Sequence, residues 1–324
     1  MNTLKYISQI TIYLVIPIFF VVLTENSYAQ GCSDAGVCSL DIMNYNDNTG
    51  QDTNNKSTSN NFIRIGASYG LADYKINVLQ NYLEYGYQTT NFNFNIKTNL
   101  MSQIGSEASS FGLGDIILSG QYRVFDETFF SLGIKAPLNN SNSKYEYNSN
   151  NFDLPMDYQT SLGTYDLIVG LSHQIDNWGF FTAYQMPLKQ NSNGFISNTE
   201  NANPIFNKFD TTNQYERASD LIARISYNYK IDADLNIIPS ILPIYHLQND
   251  KSMKLNTAAL PFKESFEEIE GSKGLTLNLN VNLNYKLKED VVSFNLGFPV
   301  LVRKSRPDGL TRAFVSSVDY TYRF

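Results

Sequence analysis

Histidine is almost missing from this chain: His173 and His246 are the only two among 324 residues, beside two cysteines and one tryptophan. So few His and Cys leave no ligand spacing for a metal centre. A hydrolase built on Ser, His and a carboxylate would depend on one of the two imidazoles. No Gly-rich phosphate loop or nucleophile elbow is present, so neither a cofactor nor catalysis is expected. Charged residues make up 17% of the chain, against about 25% in typical soluble domains. The formal net charge of −7 gives no reason to expect nucleic acid as a partner. Beyond Leu23 no apolar run approaches the ~18 residues of a membrane-crossing helix. A helical membrane protein is therefore excluded.

What is abundant is aromatic: 22 Tyr and 21 Phe. With so few charges they suit a lipid-facing surface with aromatic girdles. Residues 275–287 alternate without a break. Leu275, Leu277, Leu279, Val281, Leu283, Tyr285 and Leu287 fall on one face of a strand, and Thr276, Asn278, Asn280, Asn282, Asn284 and Lys286 on the other. Tilted by roughly 40°, such a strand climbs on the order of 33 Å, enough to cross the ~25–30 Å hydrocarbon core.

The N-terminus reads as a secretory leader over residues 1–29. Lys5 supplies the positive charge, Ile10–Leu23 the apolar stretch, and Ser27-Tyr28-Ala29 the cleavage site after Ala29. Cys32 and Cys38 follow at once. An oxidising compartment makes a small disulfide loop the first reading, with lipidation at Cys32 as the alternative. Residues 30–61 are rich in Asn, Asp, Ser and Thr and read as a flexible segment or a lumen plug.

From residue 62 to 324, period-2 patterning predicts an all-β, antiparallel up-and-down transmembrane barrel of twelve strands. They run at 62–72, 78–88, 90–100, 114–125, 128–137, 163–175, 178–189, 219–231, 234–247, 274–288, 290–303 and 311–324. Pro239 and Pro243 remove ladder donors from the ninth. Short connections at 88–90, 125–128, 175–178, 231–234 and 288–290 alternate with longer ones, notably 100–114, 137–163, 189–219 and 247–274. Short turns on one side and long loops on the other are the habit of outer-membrane barrels, as is an even strand number. The last strand places Phe314, Val318, Tyr320, Tyr322 and Phe324 on one face. A terminal aromatic of this kind is similar to the signal that the barrel-assembly machinery recognises.

Alternation alone does not decide which face is outside. A soluble lipocalin-like barrel would bury Leu275–Leu287. The polar face, however, is mainly Asn rather than charged, and the apolar faces recur on too many long strands to fill one lumen. The expected inverted barrel meets lipid with its apolar face and sends Asp115, Gln121, Arg123, Asp166, Asp220, Arg224, Lys230, Asp319 and Arg323 inward. Both signs occur among them, so no strong ion selectivity follows. They could pair and stiffen the barrel or act directly in solute passage. His173 shares a face with Leu167, Val169 and Leu171 and is expected at the lipid interface, whereas His246 sits at an outer strand end.

Phe111-Gly-Leu-Gly-Asp-Ile-Ile-Leu-Ser-Gly-Gln-Tyr-Arg-Val-Phe125 resembles the strand entry of the meta-pathway phenol-degradation family of outer-membrane proteins. Leu162–Gln174 and Trp178–Tyr184 resemble that family's paired central strands. The resemblance, carried by residues 112–186, implies a channel related in style to fatty-acid and aromatic-hydrocarbon transporters, with no catalytic residues. The expected function is passage of small molecules, hydrophobic ones included, through a monomeric barrel in outer-membrane lipid. A non-transporting surface module with binding loops is the alternative, and an outer-membrane lipase using His246 a distant third.

Overall fold

The computed structural model describes residues 60–147, 149–197, 206–256, 263–309 and 312–324. The leader, Cys32 and Cys38 lie outside them. In chain order the strands are β1 (Asn61–Ala72), β2 (Asn77–Gln88), β3 (Phe92–Ile104), β4 (Ser109–Phe125) and β5 (Thr128–Pro137). A hairpin of β6 (Lys144–Tyr147) and β7 (Asn150–Asp153) precedes β8 (Tyr165–Ile175) and β9 (Trp178–Lys189). Next come β10 (Asp220–Tyr227), β11 (Tyr229–Lys230) and β12 (Leu235–His246), then a second hairpin of β13 (Lys251–Asn256) and β14 (Lys263–Glu268). Finally β15 (Gly274–Leu287), β16 (Asp290–Leu301) and β17 (Arg312–Arg323) complete the wall.

Each wall strand pairs antiparallel with its neighbours, β17 returns to β1, and β10 pairs with β12. Counting β10 and β11 as one strand broken at Asn228, twelve strands close the cylinder. Closure leaves no edge, so the ladder satisfies its own N–H and C=O groups, which a sheet in lipid requires. The first and last wall strands meet there, with Phe324 N donating to Asn61 O at 3.0 Å.

Alternation decides the faces. Ile65, Leu83, Leu118, Leu132, Leu171, Ile225, Ile241, Val281, Phe294 and Val318, on ten different strands, are all exposed, Ile65 by 60%. Soluble monomers rarely expose apolar patches beyond a few hundred Å². A continuous apolar belt around a closed sheet is a lipid contact. Phe92, Tyr122, Trp178, Tyr229, Tyr285 and Tyr322 ring the turn end of the belt, and Tyr69, Phe111, Tyr165 and Tyr245 its loop end. The short turns include left-handed residues at Glu127, Asp176 and Lys288, a conformation that lets two-residue turns follow the strand twist.

Two departures from the sequence reading, in the 100–114 loop and in the long loops, have local causes, while the ninth strand runs through its prolines as expected. The loop expected over 100–114 is only 105–108, because β3 runs on to Ile104 and β4 begins at Ser109. A β-bulge disrupts the β3–β4 register between Thr98/Leu100 and opposite Gly114-Asp115. The extra residue resets the parity, so Leu113 and Ile116 share the outer face although they are three apart. At Gly114 a Cβ would displace the Asn99 carboxamide, whose Oδ1 accepts from the Asp115 N–H at 3.0 Å. Pro239 and Pro243 do not end β12, which pairs with β15 along its whole length. The missing N–H groups show instead on the other side, where the β10–β12 ladder skips from Ile222↔Ile244 to Ile225↔Ile241. Lastly, the hairpins β6–β7 and β13–β14 stand within the long loops.

Candidate functional site: lumen and outer mouth

The lumen wall is polar around most of its circumference. On β1, β2, β3 and β17, Arg64 donates to Glu84 at 3.2 Å and to Thr321 at 2.9 Å, and its Nε lies 3.6 Å from Asp319. Asn95 donates to Glu84 at 2.8 Å, and Gln121 to Ser131 at 3.1 Å. Nearer the loop end, Lys135 is fully buried between Asp166 at 2.8 Å and Asp115 at 3.6 Å, with Gln185 donating to Asp166. Asp115, Asp166 and Asp319 thus each face a cation. Arg123 stacks over Phe129 at 5.1 Å. Arg224 is half-buried on the inward side of β10, while Lys230 is exposed beside the 231–234 turn. Arg323 sits at the same rim, 5.8 Å above the Phe62 ring.

One sector is different. Ile168, Phe181, Ala183, Ile222, Leu242 and Ile244 form a buried apolar cluster on the inner faces of β8, β9, β10 and β12. Beside it β15 turns its amides inward.

The mouth at the loop end is built from loops. Arg217, Asp220, His246, Asp250, Arg303 and Asp308 close an alternating ring of three cations and three anions. Arg217 meets Asp220, whose Oδ1 is 2.6 Å from His246 Nδ1, and His246 Nε2 is 2.7 Å from Asp250. Arg303 lies 3.9 Å from Asp250 and 2.8 Å from Asp308, and Arg217 completes the circle 3.8 Å from Asp308. No member's side chain is more than 2% exposed. Carboxylates only accept, so His246 donates from both nitrogens. Asp220 and His246 come from the ends of β10 and β12, and the others from the loops before β10, before β13 and between β16 and β17. Burial would push Asp308 up, but Arg303 and then Arg217 outweigh it and hold the carboxyl below its usual range.

Also at the loop end, Tyr158, Phe195, Phe206 and Phe209 pack with Ile76, Val78, Met101 and Leu154 into a second hydrophobic core. Asp157, in the 3₁₀ turn Met156–Tyr158, is pushed up to about 8 by burial and then by the charge of Asp73. Between cap and wall a cavity of about 30 Å³ is lined by Asn99, Gln103, Asp115, Gln159, Ser161 and Arg312 among others. The described parts of the long loops therefore form a folded cap.

The two histidines separate. His173 faces outward on β8, its Nδ1 2.8 Å from Thr128 Oγ1. His246 has both nitrogens engaged by carboxylates, leaving no free lone pair to act as a base. Among the described residues no group of three or more His, Cys, Asp or Glu could hold a metal. Alternation reaches Arg64, Glu84 and Lys135 once the strand faces are set. Nothing in the sequence pattern reaches Arg217, Asp250, Arg303 or Asp308, which stand in loops.

Among solved structures, an outer-membrane channel from Pseudomonas putida F1 matches 85% of this chain and 98% of its own, with a TM-score of 0.51 and 11% identity. The architecture is that of an outer-membrane β-barrel. At that identity the likeness establishes the fold and nothing finer. A toluene transporter from Ralstonia pickettii is more distant, with a TM-score of 0.41, 9% identity, and 82% and 90% of the two chains covered. No family model and no curated protein sequence matches this chain.

Proposed function

We propose that this chain is a narrow, capped channel through which small molecules cross the bacterial outer membrane by diffusion. The observation that carries the reading is a closed twelve-stranded cylinder, greasy outside and hydrogen-bonding within, whose long loops fold over one mouth. Asp115, Asp166 and Asp319 face cations, so the wall offers no strong excess of either sign. The apolar sector on β8–β12 supports solutes with an apolar face, in keeping with the phenol-degradation resemblance. Lipid surrounds the monomer, the long loops face the exterior, and exposed Phe324, stacked on Tyr322, is the handle for the assembly machinery. The Asn-rich segment 30–59, which precedes the first wall strand in the sequence, acts as a plug, with Cys32 and Cys38 joined by a disulfide after removal of the leader.

Purified protein in planar bilayers tests this. The full chain is expected to give small, discrete currents, and a variant lacking residues 30–59 currents several-fold larger. Silence from both overturns the channel. Equal currents overturn the plug.

A further inference from the structure

We propose that the inner face of β15 is a binding track for neutral polyhydroxylated solutes, short saccharides above all. The inference takes the channel reading for access to the lumen, but the binding chemistry stands on the wall itself. Thr276, Asn278, Asn280, Asn282 and Asn284 point inward at every second residue, spacing their side chains by about 6.6 Å. Thr276, Asn278 and Asn284 are each at least nine-tenths buried, as is Ser293 on the adjacent β16.

Their hydrogen-bonding capacity is nevertheless largely unused. The Thr276 and Ser293 hydroxyls have no partner, nor does either amide atom of Asn278 or Asn284, the Asn280 Nδ2 or the Asn282 Oδ1. A buried polar group without a partner is costly and rare in native proteins. A whole row of such groups on one wall favours a solute that can hydrogen-bond along it. Gly297 on β16 leaves room for the Asn280 carboxamide, whose Oδ1 would lie 2.6 Å from a Cβ there.

The donor set selects the ligand. Each carboxamide offers both N–H donors and a carbonyl acceptor, matching hydroxyls, which both donate and accept. No charged side chain lies among Thr276–Asn284 or on the facing stretch Asn236–Ile244; the inward Arg224 stands one strand further on, on β10, so the two strands themselves reward neither an anion nor a cation. That facing stretch adds Ile238, Leu242 and Ile244, buried and inward. A pyranose ring has an apolar C–H face and a rim of hydroxyls, and here an aliphatic strip runs beside an amide ladder.

Maltotriose is the probe, with trigalacturonate as its charged counterpart. Calorimetry on the full chain in a detergent without a sugar headgroup reads binding, and bilayer current reads access. Saturable binding of maltotriose, with trigalacturonate at least tenfold weaker, is expected. The Asn278→Ala/Asn284→Ala double variant should bind about tenfold more weakly while its thermal midpoint stays level or rises, since it removes groups that lack partners. No saturable binding, equal binding of trigalacturonate, or an unchanged double variant would overturn the track. A double variant that unfolds at lower temperature would show the amides to be structural and overturn it too. Binding without any current would leave the track standing and sink the channel, and current without binding would do the reverse.

Discussion

Asp308→Asn should unlock the outer mouth without harming the cylinder. Asp308 is ionised at neutral pH because Arg303 and Arg217 hold its carboxyl low, so the change removes a full charge from a neutral ring. Two buried guanidinium groups, 2.8 and 3.8 Å away, then lack their shared anion. Removing one partner of a buried pair costs about 3–5 kcal/mol. Asn keeps the shape and one acceptor, which places this case near the lower end. At about 1.4 kcal/mol per tenfold change, the open fraction of the cap rises roughly a hundredfold. Hydrogen exchange with peptide resolution reads it. Amides in 206–217, 247–252 and 302–309 should exchange roughly a hundredfold faster, while those of β1–β5 keep their wild-type rates. Replacing the pair together, Arg303→Met with Asp308→Leu, should recover part of the loss, because the nearer guanidinium is no longer stranded, while Arg217 keeps Asp220 and Asp250 keeps His246. Loop exchange within twofold of wild type would refute the ring as the lock. Equal acceleration in β1–β5 would refute the separation of cap from wall.

Two further outcomes follow from the faces and from the cap. Leu279→Arg puts a charge against lipid near mid-strand and should destabilise by about 2–4 kcal/mol, whereas Asn280→Arg, facing the lumen, should cost far less; a reversible folding titration in lipid compares them, and equal losses would contradict the inverted barrel. Asp157 has its carboxyl raised to about 8 in the closed cap, against an ordinary value near 3.9 once the loop opens. The closed state therefore holds the extra proton between those limits, and its stability falls as pH rises from about 4 to 8, then levels off. Exchange of 154–164 should quicken over that window, and Asp157→Asn should flatten the response.

The sequence reveals the wall far better than the lid, for a physical reason. A strand transmits parity: once Leu279 is known to face lipid, Asn278 and Asn280 must face inward, and neighbours inherit the assignment through the ladder. Twelve strands follow from that rule, even through Pro239 and Pro243, because each proline withholds a donor from one neighbour only. Parity fails where a bulge adds a residue, so Gly114-Asp115 hid the start of β4 from a reading based on alternation. Loops have no parity at all. Arg217, Asp250, Arg303 and Asp308 are scattered across three of them, and only the closed cylinder brings those loops over one mouth. Whether Asp220 stiffens a wall or locks a lid was accordingly beyond alternation to decide. Its inward direction belongs to β10, but its partners belong to the topology.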